Sequence, residues 1–277
     1  MLEGTVASES MLSQIIKLLA VIIWPMTLLI CVLSQRVRIG RILSALTLLA
    51  ESANKIKIWQ VEVEKTVEKS INDEADKAAA QADPHKTPGV PTREALAAAR
   101  VETLIASVPN QPARENLTES VRQKMLALAQ EYETTRATMP SGKDRTGVMN
   151  AIVARMRTLA IAAKPFLKEF SENRNSPGVR LCAIVILQIS PDQRYIDWLG
   201  TRLQEEMPFV MYQTSVALLQ AVRDIGTENR DQLHSVIVGA IGVVESFREG
   251  IPDRNTLNVL RTARKALEAE PVNPDEK

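Results

Sequence analysis

The chain has 277 residues, with 34 Lys and Arg against 33 Asp and Glu, so its formal net charge is only +1. That balance excludes a broad electrostatic grip on nucleic acid, and 4% aromatic residues are too few for base-stacking platforms. Two cysteines exclude a disulfide scaffold and agree with a reducing compartment.

Residues 1–11 carry Glu3 and Glu9 and no cluster of positive charge. The run Leu12–Leu33, LSQIIKLLAVIIWPMTLLICVL, follows, with Lys17 as its single charge. About 20 apolar residues in a helix cross a hydrocarbon layer of ~30 Å, so residues 12–34 are predicted to span a bilayer. The Lys17 ammonium snorkels to the interface, and Pro25 removes one helical hydrogen bond and kinks the helix. A cleaved signal peptide fits poorly: no basic segment precedes the run and no small-x-small site follows it. The bulky Ile30 before Cys31 does not suit lipoprotein processing. Arg36, Arg38 and Arg41 flank the far side, which predicts an amino terminus outside and a carboxyl-terminal domain on the cytoplasmic face of the inner (plasma) membrane.

Residues 35–82 read as a juxtamembrane and stalk region. Ile39, Ile42, Leu43, Leu46 and Leu49 recur at helical spacing. This amphipathic stretch either lies on anionic headgroups or packs in a homo-oligomer. Lys55–Glu64, KIKIWQVEVE, alternates like a short strand, with a continuing helix as the alternative. Val63, Val67, Ile71, Ala75 and Ala79 predict a helix from about Val63 to Gln81. Residues 83–91 hold Pro84, Pro88, Pro91 and Gly89 and read as a stiff linker.

Residues 92–270 are predicted to form one all-α domain, and 271–277 a disordered tail. Caps are readable at Thr92, Ser176-Pro177, Ser190-Pro191 and Asp253. Long periodic segments run over about Leu117–Thr138, Asp144–Ala163, Pro208–Ile225 and Glu228–Arg248. Pro177-Gly-Val-Arg-Leu-Cys-Ala-Ile-Val-Ile-Leu is echoed by Pro208-Phe-Val-Met-Tyr-Gln-Thr-Ser-Val-Ala-Leu at an offset of 31 residues. Pro177/Pro208, Val179/Val210, Val185/Val216 and Leu187/Leu218 coincide. Over Ser176–Arg248 the chain resembles HEAT-like helical repeats, which implies a stacked α-solenoid that serves as a binding scaffold. The segment from Glu131-Tyr132-Glu133 through Met139-Pro140-Ser141-Gly142 to Arg155-Met156-Arg157 resembles helical modules of bacterial membrane-anchored and conflict-system proteins. That resemblance implies a bacterial regulatory or defence component.

Gly142-Lys143-Asp144-Arg145-Thr146-Gly147 resembles the phosphate-cradling end of cysteine-dependent tyrosine and phosphoinositide phosphatases. In that family a cysteine stands six residues before the arginine, usually after histidine. Here Met139 and Thr138 occupy those places, and a thioether cannot become the thiolate nucleophile. The string therefore reads as a helix-capping turn, with Lys143 and Arg145 as candidate anion-binding residues. Nor is it a nucleotide P-loop, because Ala137 stands where that motif needs glycine.

His85 lies in the linker and His234 on a helix as a half-buried residue, without a second ligand at metal spacing. Cys182, among Leu181, Ala183 and Ile184, reads as core. No catalytic residue, cofactor or metal is assigned. From residue 92 onward 18 arginines and 6 lysines stand against 23 acidic side chains. Arg145, Arg155, Arg157, Arg174, Arg180, Arg194 and Arg202 either gather along one edge or pair singly with carboxylates, the second being favoured. Trp198, Phe209 and Tyr212 around the Arg202–Pro208 turn are expected to pack a helix pair, and the alternative makes Trp198, Arg202, Phe209 and Tyr212 the candidate partner-binding residues.

The expected function is a non-enzymatic scaffold or sensor that a single span fixes to the lipid bilayer and that binds a cytoplasmic protein partner, not nucleic acid. Lys17, Arg36, Arg38 and Arg41 would mark the membrane interface. An oligomerising, membrane-perturbing effector of an antiviral system is the alternative. A hydrolase using Lys143, Asp144 and Arg145 is a distant third.

Overall fold

The computed structural model describes residues 92–225, 229–247 and 254–269, together with Met26, Lys65, Thr66, Glu68, Lys69 and Val90. The chain divides into two compact units, Met1–Trp59 and Gln60–Lys277. Among the described residues no helix is long and apolar enough to cross a membrane. The run Leu12–Leu33 lies outside them except for Met26, which is helical. The juxtamembrane segment, with Arg36, Arg38 and Arg41, and the 55–64 alternation also lie outside. Of the predicted stalk, Lys65, Thr66, Glu68 and Lys69 are helical.

Every regular element among the described residues is a helix. The α-helices are α1 (Thr92–Ala106), α2 (Gln111–Thr138), α3 (Lys143–Leu159), α4 (Leu167–Ser171), α5 (Pro177–Ile189), α6 (Ile196–Glu205), α7 (Pro208–Ile225), α8 (Arg230–Ser246) and α9 (Arg254–Glu268). Two 3-10 turns, Lys164–Phe166 and Gln193–Tyr195, lead into α4 and α6.

The helix ends follow from local chemistry. Asn110 caps α2, its side chain accepting the Ala113 amide at 3.2 Å, and Pro112 sits in the first turn. The helix therefore starts upstream of the Leu117 expected from periodicity. Leu117, Val121, Met125, Leu128 and Tyr132 then bury one face of it. Ser176 caps α5 through the Val179 amide at 3.0 Å, with Pro177 at the first position, as predicted. Ser190 does not start a helix. It ends α5, its amide donating to the Ile186 carbonyl at 2.8 Å, while Asp192 accepts the Arg194 amide and opens the next turn. Helix α3 stops at Leu159 rather than Ala163, because the chain tightens into the 3-10 turn around Pro165. Asp253, Glu228 and Arg248 lie outside the described residues.

Helices α2, α5, α7 and α9 pack side by side in that order. Helices α6 and α8 pack on each other and against α7 and α9, forming a second row. At the amino-terminal end α3 fills the space between α1, α2 and α5, and α4 packs on α5. The two echoed segments are thus the neighbouring helices α5 and α7. Their coincident Val185/Val216 and Leu187/Leu218 are buried in one continuous core.

Two glycines set helix spacing. A Cβ on Gly178 of α5 would lie 2.4 Å from the Ala129 carbonyl oxygen of α2, so only glycine permits this approach. On Gly200 of α6 it would meet a Val236 methyl of α8 at 3.0 Å, where a flexible neighbour can yield.

Candidate partner-binding surface

The strongest polar cluster is internal. Arg157, in the last turn of α3, donates from Nη1 to Glu94 Oε2 at 2.8 Å, from Nε to Gln188 Oε1 at 2.7 Å and from Nη2 to Gln213 Oε1 at 3.1 Å. Gln188 Nε2 in turn donates to the Gln213 carbonyl oxygen at 2.7 Å. The four side chains come from α1, α3, α5 and α7, and none of the four residues is more than 9% exposed. Glu94 lies in the first turn of α1 and Arg157 in the last turn of α3, so each charge suits its helix dipole. A buried ion pair whose remaining donors are also satisfied is costly to break on one side only. This centre ties four helices into one register.

A second cluster lies where α6 turns into α7. Glu206, 7% exposed, receives the Arg180 guanidinium of α5 on both carboxylate oxygens, and Arg202 Nη1 approaches it at 3.5 Å. Arg180 also donates to the Arg174 carbonyl oxygen at 2.9 Å, fastening the loop before α5. Nearby, Glu133 of α2 accepts both the Ser176 hydroxyl and the Gly178 amide, the latter at 3.0 Å. These contacts bind α2, α5 and α6 together.

Of the four candidate partner-binding residues, Trp198 and Arg202 meet, while Phe209 is engaged elsewhere. Phe209 stacks on Tyr132 of α2, with centroids 5.8 Å apart, and so belongs to the contact between α2 and α7. Arg202 is held by Glu205 at 2.6 Å and lies 5.3 Å over the Trp198 ring. Tyr195 meets Trp198 edge-on at 6.4 Å. Tyr212 is half-buried. What remains outward is half-buried Trp198 and Tyr195 at the start of α6 and, just past its end, Met207, which is 48% exposed. Such a patch, aromatic with a cation stacked on it, is of the kind that anchors protein contacts.

The arginines form no single basic edge. Arg155 pairs with Glu131, Arg157 with Glu94, Arg180 with Glu206, Arg194 with Asp192 and Arg202 with Glu205. The guanidinium of Arg194 beside Asp192 holds that carboxyl below its ordinary range. In the 142–147 turn, Arg145 bends back and donates to the Met139 carbonyl oxygen at 3.2 Å. The Thr146 amide and hydroxyl both reach the Gly142 carbonyl at 3.1 Å. Lys143 stays exposed. The turn thus closes on itself, as a helix start does, and its two cations do not converge on a shared anion position.

Cys182 is fully buried and its Sγ donates to the Met125 carbonyl at 3.4 Å. Burial pushes the thiol well above its ordinary range, leaving almost no thiolate near neutrality. Thiol reagents are therefore expected to modify Cys182 only as fast as the domain opens, as peptide mapping after timed labelling would show. Labelling within the mixing time would contradict the burial. His234 is exposed rather than half-buried, because it points off the outer face of α8. His85 lies outside the described residues. Among the described residues no three His, Cys, Asp or Glu side chains group as metal ligands.

Glu94, Gln188, Gln213 and Glu206 had no role in the sequence reading. The glutamines carried a signal, since each is a polar residue inside a long apolar helix, and such residues are bonded when buried. No protein-family model matches the chain, and neither a curated protein nor a solved structure does.

Proposed function

We propose that the chain is a single-pass membrane protein whose helical domain is a HEAT-like α-solenoid that binds a protein partner on the cytoplasmic side. The supporting observation is the side-by-side order α5, α7, α9 with α6 and α8 packed on each other as a second row, α6 against α7 and α8 against α7 and α9. Repeat scaffolds are built this way, and they present extended surfaces for partners rather than a pocket for chemistry. The echoed core positions of α5 and α7 agree with that reading.

Arg155, Arg157, Arg180 and Arg202 are spent on carboxylates and have little charge left to give a phosphate, which favours a protein partner over nucleic acid. The docking site is α6 and the turn that follows it, with Trp198 in the first turn of α6 as its aromatic anchor and Met207, past its end, as its exposed apolar contact. The apolar run Leu12–Leu33 supports the tether, with Lys17, Arg36, Arg38 and Arg41 at its interface. Tethering raises the local concentration of a membrane-bound partner without any new contact.

The test is crosslinking and pull-down of full-length protein from membranes, beside the double variant Trp198→Ala/Met207→Asp. A partner recovered with the parent and lost with the variant, from a protein that resists alkaline carbonate extraction, is the expected result. Release by carbonate would remove the tether. Equal recovery with the variant would remove the docking site.

A further inference from the structure

Helix α9 is the last described helix, and it packs on α7 and α8. Thr256, Val259, Leu260, Ala263 and Leu267 bury one side of it. At about 100° per residue, Arg254, Asn258, Arg261 and Lys265 fall within roughly 60° of one another on the opposite side, in a row about 16 Å long. All four are exposed, and so is Arg264 beside them.

Four cations of α9 thus face solvent against one acid of the same helix, Glu268. Glu268 is bonded to Arg264 at 3.1 Å and Glu245 of α8 to Arg261 at 2.8 Å, with all four side chains 45–54% exposed. Four cations less these two acids leave two net positive charges, carried by Arg254 and Lys265 at the ends of the row. The other cation-rich helices differ. Helix α2 offsets its four cations with Glu115, Glu119, Glu131 and Glu133. Helix α3 buries Arg157 in the core, gives Arg155 to Glu131 and turns Arg145 onto the Met139 carbonyl.

We propose that this face of α9 rests on the anionic headgroups of the bilayer that holds the chain, an inference that depends on the membrane tether proposed above. A straight row on a preformed helix meets a flat charged surface along its whole length and needs no further ordering. Each net cation near an anionic leaflet strengthens the contact about fivefold, so two give roughly 30-fold. The rival occupant is the chain itself, because Glu249 and Asp253 precede α9 and Glu270, Asp275 and Glu276 follow it. To cover the row, a flanking segment would have to be fixed along the helix. That ordering costs several times what exposed ion pairs return.

The test places full-length protein in lipid nanodiscs, with Cys31→Ser and a fluorophore on Asn258→Cys in the middle of the row. Cys182 is buried and stays unlabelled. A nitroxide on the lipid headgroups quenches the label on contact. Discs containing phosphatidylglycerol should raise the ratio of bound to free domain about 30-fold over discs of phosphatidylcholine, and about 0.5 M salt should remove most of the gain. Arg254→Gln/Lys265→Gln should abolish it. Lys168→Gln/Arg174→Gln, which removes the same charge from exposed positions elsewhere, should leave it intact. Equal quenching in the two kinds of disc, or equal loss in the two double variants, overturns the proposal. Contact that arises only after residues 270–277 are removed gives the row to that segment and overturns it as well. Protein that stays outside the discs refutes the tether, and this contact falls with it. Circular dichroism of each variant separates lost contact from lost fold.

Discussion

Replacing Arg157 with methionine should lower the unfolding free energy of the helical domain by about 3–5 kcal/mol, the range for breaking a buried ion pair on one side. The loss comes less from the vanished bonds than from what stays behind. Glu94, at 3% exposure, would be a carboxylate without a counter-charge, Gln188 Oε1 would lose its donor, and Gln213 Oε1 would keep only Gln188 Nε2. Two companions isolate that cause. Glu94→Leu combined with Arg157→Met should be less damaging than Arg157→Met alone, because no buried charge is then stranded. Arg157→Lys should also be harmful, since one ammonium cannot reach Glu94, Gln188 and Gln213 from the three directions that the guanidinium serves. Urea denaturation followed by circular dichroism measures all three. A loss under about 1 kcal/mol for Arg157→Met, the typical effect of any substitution, would mean that the cluster does not tie the helices together.

The second large effect belongs to Gly178. Alanine there would press its methyl carbon against the Ala129 carbonyl, 2.4 Å away, and backbone cannot swing aside as a side chain can. Helices α2 and α5 would have to separate. The expected cost is about 1–3 kcal/mol, as for other overpacked contacts. Separation would also strain the bonds from Glu133 to Ser176 and to the Gly178 amide, which cross the same contact. Gly242→Ala is the matched control. Nothing lies within 4 Å of a Cβ there, and the substitution in mid-helix should stabilise by roughly 0.5–1 kcal/mol. Opposite signs for the same chemical change would show that contact, not helix propensity, decides. Two losses of similar size would show that the α2–α5 approach is looser than this geometry.

Both predictions bear on the scaffold reading. A stacked array holds its surface in shape only if neighbouring helices keep their register, and apolar side chains alone allow sliding. The Arg157 centre joins α1, α3, α5 and α7, and the Glu206 cluster ties α5 to the end of α6, the helix that carries Trp198. Directional bonds of this kind select one arrangement where grease would accept several. Loss of Arg157 is therefore expected to loosen the proposed docking edge as well as the core.

Read alone, the residues determined the helical class, the Ser176 cap and the burial of Cys182. These are local properties: period, turn chemistry and apolar runs act over a few neighbours, so a single stretch of chain displays them. The early start of α2 was legible too, in Asn110 followed by Pro112. Tertiary structure alone decided which arginines are spent internally. Glu94 meets Arg157 across 63 residues and Gln213 meets it across 56, distances over which no local pattern operates. It also decided that Phe209 belongs to Tyr132 while Trp198 stacks with Arg202, and that a Cβ has no room at Gly178 where it has room at Gly242. A glycine or an arginine reads the same in any helix. Its role is set by what folding brings against it.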